Sequence, residues 1–312
     1  MITMKIQYQL FFALISILVL VLMQTPKAVG SVGICYGRTA FGLPSPAQVL
    51  SQILIPNKIT KVRLYDTDSE VLRLLDGRGI EVMIGIDKRN LQLLAGYDAD
   101  ATQGWLETNV FAHINKEQIK YIVVGNEIFQ EYEVLFLNSV IRKLNEALKR
   151  LDLADKIKLS STLSTYDLLV VSSSSTFSPA VLTPMLYEFL RFLRETRAPL
   201  MVTVNPVLSS ITPKPSTIED FDRILDFFVA ALKGVQFEDI SLLVTETGWP
   251  TSGGFDAGTG IASTYNKVII QRSLSGESTL KPGVLSEVFL RSIYDENLKG
   301  DEQYDKLLNP LL

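Results

Sequence analysis

The chain is poor in the residues that many enzyme chemistries rely on. Among 312 residues there is one cysteine, Cys35, and one histidine, His113. A lone cysteine excludes an internal disulfide, so a secreted form must stand on its hydrophobic core. Cys35 lies in an apolar stretch and reads as a small buried hydrophobe. Zinc lacks its usual ligands here, and the reading is of no metal and no cofactor, with a Mg²⁺ site built only from Asp and Glu as the alternative. A Ser-His-Asp hydrolase would have to use His113, and no Gly-x-Ser-x-Gly elbow precedes it. His113 falls in a helical pattern and reads as a surface or core residue. There is no Lys/Arg run, which argues against nucleic acid as a partner. No Asn-x-Ser/Thr acceptor occurs, so N-glycosylation is not expected.

One long apolar run is present. Lys5 is followed by an uncharged run of 14 residues over 10–23, and then by Pro26, Ala28 and Gly30. This reads as a secretory signal over 1–30, removed near Gly30 or Ser31. A retained membrane anchor is the alternative, although the run is short for a span. Losing Lys5 and Lys27 takes the net charge from −4 to −6.

The remaining residues, 31–312, read as one domain. Apolar strand-like stretches at 32–36, 61–65, 81–86, 119–127, 157–162, 200–205, 240–246 and 287–294 alternate with helical patterns. The helical patterns follow Ser45-Pro46 and cover 69–78, 101–114, 133–151, 184–195 and 218–233. Eight strands alternating with helices predict an α/β fold, a closed (β/α)8 TIM barrel. An open doubly wound sheet is the runner-up, but no Gly-x-Gly-x-x-Gly follows the first strand. Ser172–Ser175 reads as a flexible loop.

Two stretches carry the chemistry. Leu242-Leu243-Val244-Thr245-Glu246 is an apolar strand ending in a carboxylate, stopped by Thr247-Gly248-Trp249-Pro250. Ile119-Lys120-Tyr121-Ile122-Val123-Val124-Gly125-Asn126-Glu127 ends in the same way. Either Glu alone could simply cap a helix. Glycosidic hydrolysis needs two carboxyl groups across the scissile bond, and barrel enzymes place their chemistry at the C-terminal ends of the strands. Those ends also carry Tyr36, Tyr65, Asp66, Asp87, Asn205, Asp295 and Glu296. Acids, amides and aromatic rings suit a neutral polyhydroxylated ligand, and Trp249 could stack on a sugar face. Both carboxylates must then face one sugar-sized gap.

The chain resembles the plant β-1,3-glucanases of glycoside hydrolase family 17. The matching pieces are Gly33-Ile34-Cys35-Tyr36-Gly37, Leu43-Pro44-Ser45-Pro46, Arg63-Leu64-Tyr65-Asp66 and Val124-Gly125-Asn126-Glu127. Val244-Thr245-Glu246-Thr247-Gly248-Trp249-Pro250, Thr264-Tyr265-Asn266 and Asp295-Glu296-Asn297-Leu298-Lys299 complete the set. The resemblance implies a retaining β-1,3-glucan hydrolase, with Glu127 as acid/base and Glu246 as nucleophile. Tyr36, Tyr65, Asn126, Asn205, Trp249, Glu296 and Lys299 would bind substrate or support the site. It further implies a secreted monomer, extracellular or in the cell wall with the vacuole as an alternative, acting on β-1,3-glucan without a stable membrane anchor.

Some stretches depart from the family pattern. Asn205 stands where the family has a sugar-facing Tyr, the segment 211–220 is short, and Arg291 and Ser292 replace apolar or acidic residues. These departures imply a reduced substrate cleft. An Arg inside a barrel strand must find a carboxylate or reach solvent. The alternatives are a catalytically impaired member that binds glucan or a protein partner, and a barrel glycosidase or transglycosylase acting on another β-glucan.

Overall fold

The computed structural model describes residues 30–171, 174–205, 217–251, 257–275 and 287–294. Nine parallel strand segments form one sheet: β1 (Ser31–Tyr36), β2 (Lys61–Leu64), β3 (Glu81–Ile86), β4 (Ile119–Val124), β5 (Lys158–Ser160), β6 (Thr162–Ser164), β9 (Leu200–Val204), β10 (Leu242–Thr247) and β11 (Glu287–Leu290). The spatial order begins at β5, passes through β1 and β11 and ends at β6. Only Ser161 separates β5 from β6, so these are halves of one strand, and its two halves close the barrel. β5 pairs with β4 while β6 pairs with β9. Counted this way the described residues supply the eight barrel strands expected. Between β6 and β9, Leu168–Val171 (β7) and Ser174–Phe177 (β8) form an antiparallel ribbon.

Alternation along the strands sorts the side chains. Val62 and Leu64 of β2 join the large apolar layer between barrel and helices. Cys35, Met83, Tyr121, Val123, Met201, Leu243 and Phe289 form a second, smaller cluster inside the barrel, with Tyr65 packed against it. The barrel floor is polar. Lys61 contacts both Glu287 and Glu81, Lys120 lies 3.4 Å from Glu287, and the Tyr121 hydroxyl donates to Glu287 at 3.1 Å. Burial alone would lower the Lys61 pKa, but Glu287 and Glu81 outweigh it and leave it raised.

Helices start where short side chains cap them. Asp68, Asp87 and Asp98 accept from the backbone N–H groups of Val71, Asn90 and Ala101, and Ser45 forms a reciprocal cap with Gln48. Asp87, expected as a strand-end acid, is thus also the cap of helix Lys88–Ala95. That helix was not foreseen in the sequence, and neither was Thr259–Ser275. The first is short, and the second spreads Ile261, Ala262, Tyr265, Val268 and Ile270 around its circumference without a clear apolar stripe. The ribbon β7–β8 was missed as well. Ser174 and Ser175, read as loop, are in its second strand, while Ser172 and Ser173 lie outside the described residues.

Candidate active site

Gly125 and Glu127 both have left-handed backbone, at φ 72° and 53°. At Gly125 a Cβ would come within 2.6 Å of Ile128. This turn swings Glu127 out of the direction of β4 and leaves it half-buried. Its backbone N–H donates to the Thr162 hydroxyl at 2.8 Å, and that hydroxyl donates to Asn126 Oδ1 at 3.0 Å. A non-glycine residue with this backbone costs about 1–2 kcal/mol, a strain tolerated where a side chain must be aimed.

Glu246 is aimed by a different device. Simple alternation along β10 would turn it outward with Leu242 and Val244, away from Leu243. Pairing with β9 runs Val244 to Val202 and then Glu246 to Thr203, so Thr245 is an extra residue. A bulge of this kind reverses the facing of the residues after it, and Glu246 enters the barrel mouth.

The Glu246 carboxylate is sealed there, at 1% exposure. Arg63 Nη1 lies 2.9 Å and the Tyr65 hydroxyl 2.7 Å from Oε2, and Arg291 Nη1 lies 2.8 Å from Oε1. The Arg63 guanidinium also donates to the Thr245 carbonyl at 2.9 Å and to Asn126 Oδ1. One side chain therefore spans from Glu246 to the residue beside Glu127. Burial would lower the Arg63 pKa, but Tyr65 and Glu246 outweigh it and leave it raised. Burial, Cys35 and Glu246 push the Tyr65 phenol well up, so it remains a donor. An open carboxylate was expected. Glu246 is instead covered by the hydrogen-bonded Arg63 and Tyr65 and the ion-paired Arg291.

Beyond that layer lies a cavity of about 610 Å³ lined by Arg63, Tyr65, Gly85, Asp87, Lys88, Asn126, Glu127 and Glu131, among others. A Cβ at Gly85 would meet the Tyr65 carbonyl at 2.4 Å, so glycine there lets β2 and β3 approach beside the opening. Glu127, Asn126 and Tyr65 line this one cavity. Tyr36 and Asn205 lie buried at their strand ends; among the described residues the Tyr36 hydroxyl and Asn205 Oδ1 have no hydrogen-bond partner. Burial pushes the Tyr36 phenol up to about 12.

Trp249 is not a platform facing the cavity. Its indole is 2% exposed and packs on Tyr265 with ring centroids 5.7 Å apart, where Tyr265 bonds the Thr247 hydroxyl at 2.6 Å. The aromatic pair pins the turn after β10 to helix Thr259–Ser275, because a large ring gains more from burial than from exposure. Glu296 and Lys299 lie outside the described residues. His113 sits at the surface beside Arg73. Among the described residues no three His, Cys, Asp or Glu side chains are grouped to hold a metal ion. Arg63 and Arg291 were not singled out as site residues. Their signal was a charge at period two in a strand, Lys61-x-Arg63-x-Tyr65 and Glu287-x-Phe289-x-Arg291, which points into a barrel.

The family model described as glycosyl hydrolases family 17 matches residues 32–308. The chain belongs to this family. Glucan endo-1,3-beta-glucosidase 13 of Arabidopsis thaliana is 31% identical over 93% of this chain, which spans 63% of that protein's length. A glucan endo-1,3-beta-glucosidase of Vitis vinifera is 29% identical over 88% of this chain and 87% of its own. Among solved structures, CJP38, a beta-1,3-glucanase and allergen of Cryptomeria japonica pollen, superposes with a TM-score of 0.78 at 28% identity, covering 89% of this chain and 94% of that one. A plant beta-glucan endohydrolase gives 0.79 at 25% identity, covering 89% and 95%. Bacterial β-glucuronidases at 9–13% identity share the fold alone.

Proposed function

We propose that this family 17 member hydrolyses β-1,3-glucosidic bonds in β-glucans with retention of configuration. Glu127, opening on the cavity, protonates the leaving oxygen. Glu246 attacks the anomeric carbon, and water guided by Glu127 then releases the glycosyl group. The observation that carries this reading is the Arg63 bridge. It ties the Glu246 carboxylate to Asn126 beside Glu127, which supports placing both acids near one polar space, with Glu127 on the cavity and Glu246 behind the Arg63 and Tyr65 layer. Direct attack needs carboxyls roughly 5–5.5 Å apart. The buried Tyr36 hydroxyl and Asn205 Oδ1 suit ligand hydroxyls, since buried polar atoms normally find partners.

Secretion to the cell exterior or wall is the location that fits. The family match begins at residue 32, next to the expected end of the signal. No helix among the described residues is long and apolar enough to cross a membrane. Reducing-sugar release from laminarin by the mature chain tests the activity. Glu127→Gln should lower turnover about 10²–10⁴-fold, and Glu246→Ala should abolish it. Laminarin that binds but is left intact by the wild-type chain would favour the impaired, glucan-binding alternative.

A further inference from the structure

We infer that Arg291 is a positioning residue that covers the attacking oxygen of Glu246 and sets how readily this nucleophile can be used. The inference rests on the retaining reading above. Oε2 of Glu246 is held by Arg63 and Tyr65, and Arg63 is itself anchored on the Thr245 carbonyl and Asn126. Those bonds tie Oε2 to the frame of the barrel. Oε1 is therefore the oxygen left to attack, and Arg291 Nη1 lies on it at 2.8 Å. Arg291 is 3% exposed, so this ion pair is enclosed, where the attraction between opposite charges is little screened.

Arg291 imposes two costs of the same sign. Its ion pair with Oε1 must be loosened before the anomeric carbon can take that oxygen. The transition state resembles an oxocarbenium ion, and a guanidinium beside it repels the positive charge that develops. Arg291 thus slows formation of the glycosyl-enzyme. A neutral side chain of similar length should speed it, and Arg63 remains on Glu246 so the buried carboxylate is not orphaned.

The test is covalent trapping by a 2-deoxy-2-fluoro-laminaribiosyl fluoride, with intact mass as the readout. Glu246 oxygen forms a bond to C1 while the C1–F bond breaks, and fluoride leaves with the electron pair without needing protonation by Glu127. Arg291→Met should label about tenfold faster than wild type or more, a change worth roughly 1.4 kcal/mol. Arg291→Lys, which keeps a cation, should stay near the wild-type rate. A melting curve and laminarin hydrolysis are recorded for each chain. Wild-type hydrolysis together with equal or slower labelling of a folded Arg291→Met chain overturns the role of Arg291 and leaves the glycosidase reading standing. Equally fast labelling of Arg291→Lys and Arg291→Met overturns the charge argument. Neither labelling nor hydrolysis by any folded chain overturns the inference and the reading beneath it.

Discussion

At the scale of single residues, the site is built from strain and charge. Glu127 holds φ 53°, a conformation that glycine adopts without penalty. Glu127→Gly should therefore be more stable than Glu127→Ala by about 1 kcal/mol and unfold at a higher temperature, although both lack the acid. Paired thermal melts check this, and equal melting would show that the turn carries no strain. Arg291 resolves a question its position posed. A buried guanidinium needs a carboxylate, and the one that Arg291, just past β11, found is Glu246. Its neighbour Arg63 was quoted within a recognisable motif, yet its role depends on a Thr245 carbonyl 182 positions away. No local pattern could have supplied that partner.

Among the secondary-structure elements, eight strands were readable because covered parallel strands are apolar runs bounded by turn residues. Their interior order was less readable. The floor network ties β2, β3, β4 and β11 through Glu287, whose side chain is 5% exposed. Replacing it with Gln leaves Lys61 facing fewer charges in a site 14% exposed, and the loss should be about 3 kcal/mol. Chemical denaturation of Glu287→Gln measures it, and an unchanged midpoint would assign the network no net stability. The sign with pH is set by Lys61, whose folded pKa is raised. Its contribution is fully present below the unfolded lysine value of about 10.4 and is lost as pH rises through the folded value. Stability from this floor should therefore be flat through neutral pH and fall only in strong alkali. The Trp249 correction belongs here too. The sequence shows a ring close to the Glu246 carboxylate, but helix Thr259–Ser275 supplies Tyr265 as its partner and draws the ring inward.

For the whole molecule, closure runs through a strand broken at Ser161, whose hydroxyl donates to the Gly125 carbonyl at 3.2 Å just before Asn126 and Glu127. The seam of the barrel and the acid's turn are thus one piece of structure. The single thiol reports on the intact barrel. Cys35 has no exposed surface, and its Sγ lies 3.4 Å from the Thr245 carbonyl, next to the bulge. A thiol reagent should leave the native mature chain unmodified for as long as the barrel stays closed, and modify it stoichiometrically in denaturant. Rapid labelling of the native chain would mean that the barrel opens near Glu246.

The sequence by itself determined the alternation of strands and helices, the family motifs and the two acids, because each of these is written in short-range pattern and residue type. Tertiary structure alone decided which way the second acid faces. Read by alternation, Glu246 belongs on the helix side of β10; one extra residue in the pairing with β9 turns it inward. Register is a relation between two strands, so neither strand's own sequence encodes it. The same holds for the two guanidinium groups around Glu246, which come from β2 and from the chain just past β11 and meet only when the barrel closes.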